Sequence, residues 1–238
     1  MAGKTNTQDR IAELFKAGAH FGFVKSRRHP SAKPFILGQK DKVEIFDLNK
    51  TSVELEKVLA FVTEMGRVNA PVIFVGGKSE AREAVKAAGA ALSQPFVAGR
   101  WIGGTLTNFT EIKKRLMKLE ELSMQREKGE LGKYTKKERL LIDREITRLE
   151  TFFGGLSNMK GLPKFIVVVD PKKESIAVSE AKRMKIPVVA IAGSDTNLHE
   201  VEYAIPANDS SRQAIGFIMS EIAAAYAEGQ KDFKPKEA

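Results

Sequence analysis

The chain contains 238 residues, 42% of them hydrophobic, which suits one domain, or one domain with an insertion, and argues against global disorder. It has no cysteine, so disulfides, thiolate zinc sites and cysteine nucleophiles are excluded, and the composition is compatible with a reducing cytosol. The longest apolar runs, such as FIVVV at 165–169, are far shorter than the roughly 20 residues that span a membrane, and the first ten residues lack the apolar region of a signal peptide. We therefore expect a cytoplasmic protein without membrane association.

The N-terminal part is predicted to contain a helix, a hairpin and a second helix. Residues 7–17 place Ile11, Leu14 and Phe15 on one helical face, and the helix is expected to end at Gly18. The apolar runs PFIL and KVEIF flank GQKD, which indicates a short hairpin. The second helix is expected to run to about Met65, with Asn49 or Thr51 as its N-cap and Gly66 as its C-cap.

The net charge of +9 favours acidic partners, among which nucleic acid is the most common, although a merely basic soluble enzyme is an alternative. Much of this charge lies in a basic loop at residues 21–42, where Asp41 is the only acid. Pro30 and Pro34 prevent a helix there, and cations on such a stiffened, irregular loop can follow a phosphate backbone. The candidate RNA-binding residues of the basic loop are Lys25, Arg27, Arg28, Lys33, Lys40 and Lys42.

From residue 71 onward, apolar strands alternate with amphipathic helices. The predicted strands lie at 71–75, 95–98, 164–170, 186–192 and 203–206. Their continuous Val and Ile character indicates a parallel sheet covered by helices on both faces, with 203–206 as an edge-like strand. A closing helix follows, with Asn208 or Asp209 as its predicted cap.

Residues 105–153 interrupt this alternation. Two helical patterns with apolar seams flank the glycine-containing GELGK, which predicts an antiparallel hairpin that projects from the sheet domain. Its charged outer faces suit either a solvated coiled coil or an arm that docks on RNA or on a neighbouring protein. Its candidate RNA contacts form a weaker group of Lys113, Lys114, Lys136 and Lys137. The predicted division is a core of 1–104 and 154–228, a hairpin insertion of 105–153 and a flexible tail of 229–238.

A second candidate RNA contact is the stretch GRWIGGTLTNF at 99–109. Arg100 can bind phosphate or stack on a base, and the glycines at 103 and 104 allow another backbone to approach closely. Trp101 either joins Arg100 at the RNA or lies buried beneath the helical arm. The polar residues that follow can cap the next helix or bond to RNA; they are Thr105, Thr107 and Asn108.

Several residues at the strand ends bear on catalytic, nucleotide-binding and metal-binding chemistry. FVGGK at 74–78 resembles a nucleotide-binding turn but lacks both phosphate-loop signatures, so a tight connection is favoured, from which Lys78 could contact a backbone phosphate. Asp170 lacks the acidic cluster of a phosphoacceptor and is interpreted as a helix cap, as are Asp195 and Asp209, for which a hydrated cation is the alternative. The histidines, His20, His29 and His199, have no metal-ligand spacing and are expected to be structural. We predict no catalytic residue, no metal and no cofactor.

Motifs along the chain resemble those of the bacterial small-subunit ribosomal protein S2 family. They run in order from residue 16 to about 215 and are KAGAHFG, KPFI, DLNKT, FVGGK, RWIGGTLTNF, YTKKE, GGLSNMKGLPKFIVVVD, IPVVAI and IPANDSSRQAI. The resemblance implies a flavodoxin-like, three-layer α/β core with a protruding coiled-coil hairpin. It also implies a structural, non-enzymatic role on the cytoplasmic ribosome, with small-subunit rRNA and other small-subunit ribosomal proteins as partners and no small-molecule substrate. The resemblance further implies a part in recruiting the large mRNA-binding ribosomal protein.

The chain departs from the family pattern at several positions. Phe23 stands where the family usually has a second histidine, and Arg27, Arg28 and His29 stand where aromatic residues are frequent. Ala207 replaces a usual glycine. A flavodoxin-like nucleotide-binding or signalling domain is the alternative function, and it predicts that the purified protein binds a mononucleotide.

Overall fold

The computed structural model describes residues 7–233. The helices of this region are Thr7–Lys16 (α1), Leu48–Arg67 (α2), Arg82–Leu92 (α3), Phe109–Glu127 (α4), Lys136–Phe153 (α5), Ser175–Arg183 (α6) and Arg212–Lys231 (α7). The strands are Phe21–Val24 (β1), Ile36–Lys40 (β2), Val43–Phe46 (β3), Val72–Val75 (β4), Phe96–Val97 (β5), Phe165–Val169 (β6), Val188–Ala192 (β7) and Tyr203–Pro206 (β8). None of the helices in this part of the chain is long and apolar enough to cross a lipid bilayer.

The predicted parallel sheet is confirmed. Its five strands lie in the order β5-β4-β6-β7-β8, and all neighbours are parallel. Counted along the chain from β4, this is the order 2-1-3-4-5 of doubly wound flavodoxin-like sheets. β8 lies at an edge, as its sequence indicated. The carboxyl ends of the strands meet at one edge of the sheet, where the connecting loops gather.

Both faces of the sheet are buried, which explains why its strands are apolar without alternation. Val72 and Phe74 of β4 face a cluster that contains residues of α1, α2, α3 and α7. Ile73 and Val75 face the opposite cluster, which contains residues of α4, α5 and α6. Successive strand residues point to opposite faces, so every apolar residue of β4 has a helical layer to pack against.

The predicted β-hairpin is also confirmed, as β2 and β3 of a small antiparallel sheet with the order β1-β3-β2, but its turn follows Lys40 and does not span 38–41. Asp41 and Lys42 form its turn with φ of 50° and 68°, the left-handed values that a two-residue hairpin turn of this kind requires. The small sheet is fastened to the large one at the end of β7, because the backbone N–H of Phe23 donates to Ser194 Oγ at 2.8 Å. The basic loop therefore lies beside the carboxyl edge of the parallel sheet.

The predicted helix caps were wrong at two helices. Asp47 caps α2 by accepting from the backbone N–H of Asn49, and Ser211 caps α7 by accepting from that of Ala214. Asn208 and Asp209, the residues predicted to cap α7, are engaged elsewhere: Asn208 donates to Gly18 O and Asp209 accepts from Lys78. Several small polar residues precede each helix, and only the tertiary contacts decide which of them is free to cap it.

The predicted burial of Phe15 and the predicted C-cap Gly66 were also wrong. Phe15 is 61% exposed, because its ring stacks on His20 at 4.5 Å between centroids instead of entering the core with Leu14. Gly66 is not the residue that ends α2 but lies inside the helix, close to Gly229 of α7. A side chain at Gly66 would collide with the backbone of α7.

The insertion forms two helices, α4 and α5, connected by a short 3₁₀ segment at Glu130–Lys133. Thr135 and Glu138 form a reciprocal capping box that begins α5. Lys118 and Glu145 join the two helices by an ion pair of 3.2 Å. Coiled-coil packing of the pair and the division of the chain at 105 and 153 stay predictions. The tail predicted for 229–238 begins within α7, which continues to Lys231, and residues 234–238 lie outside the described residues.

Candidate nucleic-acid interface

Lys78 lies at the end of β4, at the carboxyl edge of the sheet, and is held there by two acids. Its Nζ lies 2.6 Å from Asp170 Oδ2 and 2.9 Å from Asp209 Oδ2, and all three side chains are largely buried. Burial alone would lower the pKa of Lys78, but its hydrogen bonds and charge pairing with the two acids raise it overall. Burial raises the pKa of Asp209 in spite of Lys78. Two acids bind this one cation within the protein, so Lys78 is not presented to a phosphate.

A second charge cluster at the same edge has an excess of cations. Arg27 Nη2 lies 3.1 Å and Lys172 Nζ 2.8 Å from the same oxygen of Asp195, whose side chain is 5% exposed. The Arg27 guanidinium also lies 4.3 Å from the centroid of the Phe23 ring, where the π face attracts it. Because one carboxylate serves two half-exposed cations, a positive charge stays available to a ligand.

Arg28 has a different role from Arg27. Its Nη1 lies 2.7 Å from Glu44 Oε1, and only 21% of its side chain is exposed. Glu44 belongs to β3 and is itself buried, so the pair fastens the basic loop to the small sheet. Removing Arg28 would leave a buried carboxylate without its cation, which is a cost in stability. The sequence pattern predicted the same role for the two adjacent arginines, whereas in the structure they bind different partners.

The other cations predicted in the basic loop lie on its surface. Within residues 7–233, none of their side chains makes an ion pair or a hydrogen bond; they are Lys25, Lys33, Lys40 and Lys42. Two 3₁₀ turns, at Lys25–Arg27 and Pro30–Phe35, shape the loop between β1 and β2. His29 begins the second turn by accepting from the backbone N–H of Ser31. The loop is thus held by its own backbone and by Arg28. The four lysines take no part in holding it and are available to an external ligand.

The stretch 99–109 is organised by Glu180, a buried residue of α6 that the sequence analysis missed. Its carboxylate accepts from Trp101 Nε1 at 3.3 Å and from the backbone N–H of Gly104 at 2.7 Å, and further donors follow on the same loop. These are the backbone N–H of Leu106 and the backbone N–H and hydroxyl of Thr107. Burial alone would raise the pKa of Glu180, but this set of donors lowers it. The one available signal was an acid within AVSEA, on the otherwise apolar face of α6.

This arrangement places Trp101 in the core, which is one of the two alternatives for that residue. Trp101 is 3% exposed and belongs to the apolar cluster beneath α4 and α5. Arg100 points outward, is exposed, and has no side-chain partner among the described residues. Thr105 donates to Ile102 O at 2.6 Å and Thr107 to Glu180, so both threonines stabilise the loop itself. Asn108 is the N-cap residue of α4 but makes no side-chain cap.

The cations of the helical insertion are exposed. Lys114 pairs with Glu111 at 2.6 Å, an i,i+3 contact on the surface of α4. Lys113, Lys136 and Lys137 make no ion pair in the described part of the chain. No ion pair or side-chain hydrogen bond joins these four lysines to the basic loop in the part of the chain that the structure describes.

The comparisons with known proteins agree with one another. The model of the family described as ribosomal protein S2 matches residues 14–229. The small ribosomal subunit protein uS2 of Bdellovibrio bacteriovorus is 40% identical over 229 residues, which cover 96% of this chain and 73% of the relative. The proteins of the same name from Chloroflexus aggregans and Chloroflexus aurantiacus are each 39% identical over 221 residues and 93% of both chains. The resemblance inferred from the motifs is thereby confirmed, and this chain belongs to the ribosomal protein S2 family.

Proposed function

We propose that the chain is a structural constituent of the small ribosomal subunit and binds small-subunit rRNA through the basic loop. Proteins of this family are structural ribosomal proteins, not enzymes, and this confirms the prediction of a non-enzymatic protein. The relatives named above are proteins of the small ribosomal subunit. The assignment implies a cytoplasmic ribosome as the site of action.

The observation that carries the RNA-binding proposal is a set of four exposed lysines on a loop of fixed conformation. Their side chains have no ion-pair or hydrogen-bond partner within residues 7–233. Each lysine that neutralises a phosphate releases a condensed counterion, which favours binding without any base contact. Arg27 adds a guanidinium that Phe23 and Asp195 hold in place. The loop is anchored to β3 and β7, so its cations keep their spacing and can match a folded RNA by shape.

The turn between β4 and α3 argues against the competing nucleotide-binding function. The backbone N–H of Gly77, which a phosphate would use, donates instead to Glu174 Oε1 at 3.0 Å. Glu174 is 6% exposed, and burial raises its pKa. A carboxyl group already fills the place where the amide would receive an anion, and Lys78 next to it is bound to two acids.

Contacts with neighbouring ribosomal proteins, including recruitment of the large mRNA-binding protein, belong to the same proposal. An exposed aromatic patch beside the basic loop supports a protein contact. Phe15 and Phe21 are 61% and 46% exposed, and His20 makes ring contacts with both, at 4.5 and 4.0 Å between centroids. Such exposed apolar surface is typical of a protein–protein contact.

The RNA-binding proposal is tested by titrating purified small-subunit rRNA with the protein over a range of salt concentrations. We expect the logarithm of the affinity to fall linearly with the logarithm of the salt concentration, with a slope of roughly −0.7 to −0.9 per neutralised phosphate. A variant with Lys25, Lys33, Lys40 and Lys42 changed to Gln should bind more weakly and lose about three units of this slope.

The control carries the same loss of charge at other exposed lysines, which are Lys164, Lys182, Lys185 and Lys231. It should retain most of the affinity and most of the slope. A salt-independent affinity of the wild-type protein would contradict RNA binding by charge neutralisation. An equal loss in both variants would show that net charge matters and the basic loop does not.

A further inference from the structure

A cleft lies between the sheet domain and the base of the helical insertion, away from the basic loop. It has a volume of about 570 Å³ and is bounded by α3, the loop after β5 and the C-terminal end of α5. Its charged lining includes Arg82 and Lys86 of α3 and Arg100 after β5. The partly exposed rings of Phe96 and Phe152 also line it.

The cations of this cleft are not neutralised by the protein. Lys86 and Arg100 make no ion pair or side-chain hydrogen bond within residues 7–233, and Arg82 only donates its Nε to Gly77 O at 3.4 Å. Arg82 and Lys86 are one helical turn apart, so their like charges repel and destabilise α3 slightly. The carboxylate in the lining, Glu150, is engaged by Arg126 at 3.5 Å. An anionic ligand would relieve the repulsion.

The backbone of the cleft suits a ligand that lies across its two sides. Gly155, at the base of the insertion, packs so closely against β5 that a methyl group there would collide with the carbonyl oxygen of Phe96. The two sides of the cleft are therefore fastened together beneath the cations. Gly99, in contrast, has no atom within 4 Å of the position of a Cβ, so the mouth of the cleft beside Arg100 is open.

The combination of groups is that of an RNA site rather than of a site for a single free phosphate. Guanidinium and ammonium groups neutralise successive phosphates, and partly exposed rings provide a face on which an unpaired base can stack. The cleft lies next to β5, at one edge of the sheet, while the basic loop packs near β7 and β8 at the other. With strands about 4.8 Å apart, three or four strand spacings place the two sites roughly 14–19 Å apart, which is too far for one phosphate to reach both.

We propose that this cleft is a second RNA-binding site, which takes a ribose-phosphate segment of the rRNA between the sheet domain and the base of the helical insertion. The inference rests on the proposed rRNA-binding function and adds to it where a second segment binds. The bound segment contacts α3, the loop after β5 and the end of α5 together.

The test uses the full chain and purified small-subunit rRNA, with substitutions that add or remove charge without disturbing the fold. Gly99→Glu places a carboxylate at the open mouth of the cleft, and Gly99→Gln, of the same size and uncharged, is its matched control. We expect Gly99→Glu to weaken rRNA binding about tenfold relative to Gly99→Gln, because it repels the phosphates and neutralises one cation. The double substitution Lys86→Gln with Arg100→Gln should reduce the salt slope by about 1.5.

The outcomes separate this inference from the proposed function. If wild-type protein does not bind rRNA, or the basic-loop variant binds as well as wild type, the proposed function fails. If binding depends on the basic loop but Gly99→Glu, Gly99→Gln and the double variant bind alike, the cleft is not an RNA site and the second inference alone is overturned. That second result is also the one expected if an acidic segment of a neighbouring protein occupies the cleft. Thermal unfolding of each variant establishes that the fold is retained.

Discussion

Glu180 shows how a single buried acid can organise a loop that carries no regular structure. Its two oxygens accept from five donors spread over Trp101, Gly104, Leu106 and Thr107. Donors on a loop in this position would otherwise be buried without partners, which is unfavourable. By satisfying them, Glu180 fixes the conformation through which Arg100 reaches the surface and Trp101 the core. It is a structural residue whose effect reaches the candidate interface.

We predict that Glu180→Gln lowers the free energy of unfolding by about 2–3 kcal/mol at pH 7, because an amide offers one acceptor oxygen and turns an N–H group toward the loop donors. Folding lowers the pKa of Glu180 from its usual 4.5, so its contribution is complete above pH 4.5 and is lost as the pH falls through the lowered pKa. The difference between wild type and variant should therefore narrow below pH 4.5. Urea unfolding of both proteins between pH 7 and pH 3.5 measures this difference in the free energy of unfolding.

Glu120→Gln is the control for this prediction, since Glu120 is exposed on α4 and has no side-chain partner among the described residues. It should change stability by less than about 0.5 kcal/mol at either pH. A pH-independent difference between wild type and Glu180→Gln would mean that the ionised carboxylate is not what holds the loop.

At the scale of elements, α2 and α7 cross in close contact. The two helices approach through Gly66 and Gly229, whose Cα atoms face one another with no side chain between them. A methyl group at Gly66 would collide with the carbonyl oxygen of Tyr226, and one at Gly229 would collide with that of Thr63. Both helices lie on the same face of the parallel sheet, so their separation would disturb the cluster that they share.

We predict opposite effects for two Gly→Ala substitutions in these helices. Gly66→Ala should destabilise the protein by about 2 kcal/mol or more, since the strain of overpacking exceeds the gain in helix propensity. Gly216→Ala, in α7, has no atom within 4 Å of its new Cβ and should stabilise by about 0.5–1 kcal/mol. Thermal and urea unfolding of the pair measure both. Stabilisation by Gly66→Ala would show that the helices can separate at little cost.

At the scale of the whole molecule, the helical insertion is joined to the sheet by its own core. Ile112 of α4 and Leu149 and Phe153 of α5 belong to the cluster that covers Ile73 and Val75 of the sheet. The insertion therefore supplies part of the second helical layer, together with α6. Its distal part, around Gly129, contributes fewer buried residues in the described chain.

Because the base of the insertion is part of the core and its distal part contributes little to it, we predict different outcomes for two deletions. Replacing residues 121–144 by a linker of about four Gly and Ser residues should leave a cooperatively folding protein, because the ion pair of Lys118 with Glu145 shows that the helices are close at the cut. Replacing 105–153 should abolish cooperative unfolding, because one face of the sheet keeps only α6 as its cover and loses the rest. Circular dichroism during thermal unfolding distinguishes them. Equal stability of the two deletion variants would mean that the base of the insertion is not part of the core.

The sequence by itself determined most elements of this protein and the order in which they occur, although β1 was not among the predicted strands. Apolar strands such as 165–169, helices with a 3.6-residue period and a glycine-containing break near residue 129 are local patterns, and they predicted the parallel sheet and the hairpin at β2 and β3. The same is true of the charge concentrated in the basic loop. The ordered motifs also identified the family before any contact between distant residues was known.

Only the tertiary structure decided which polar side chains are bound to a partner within the protein. Arg27 and Arg28 are adjacent in the chain, but one meets Asp195 and the other Glu44 across 168 and 16 residues. Trp101 enters the core because Glu180, 79 residues away, accepts its N–H. Lys78 is withdrawn from any phosphate by acids that arrive from β6 and from the end of β8. Hydrogen bonds and ion pairs act over about 3 Å in space and not along the chain, so no periodicity within the sequence can reveal them.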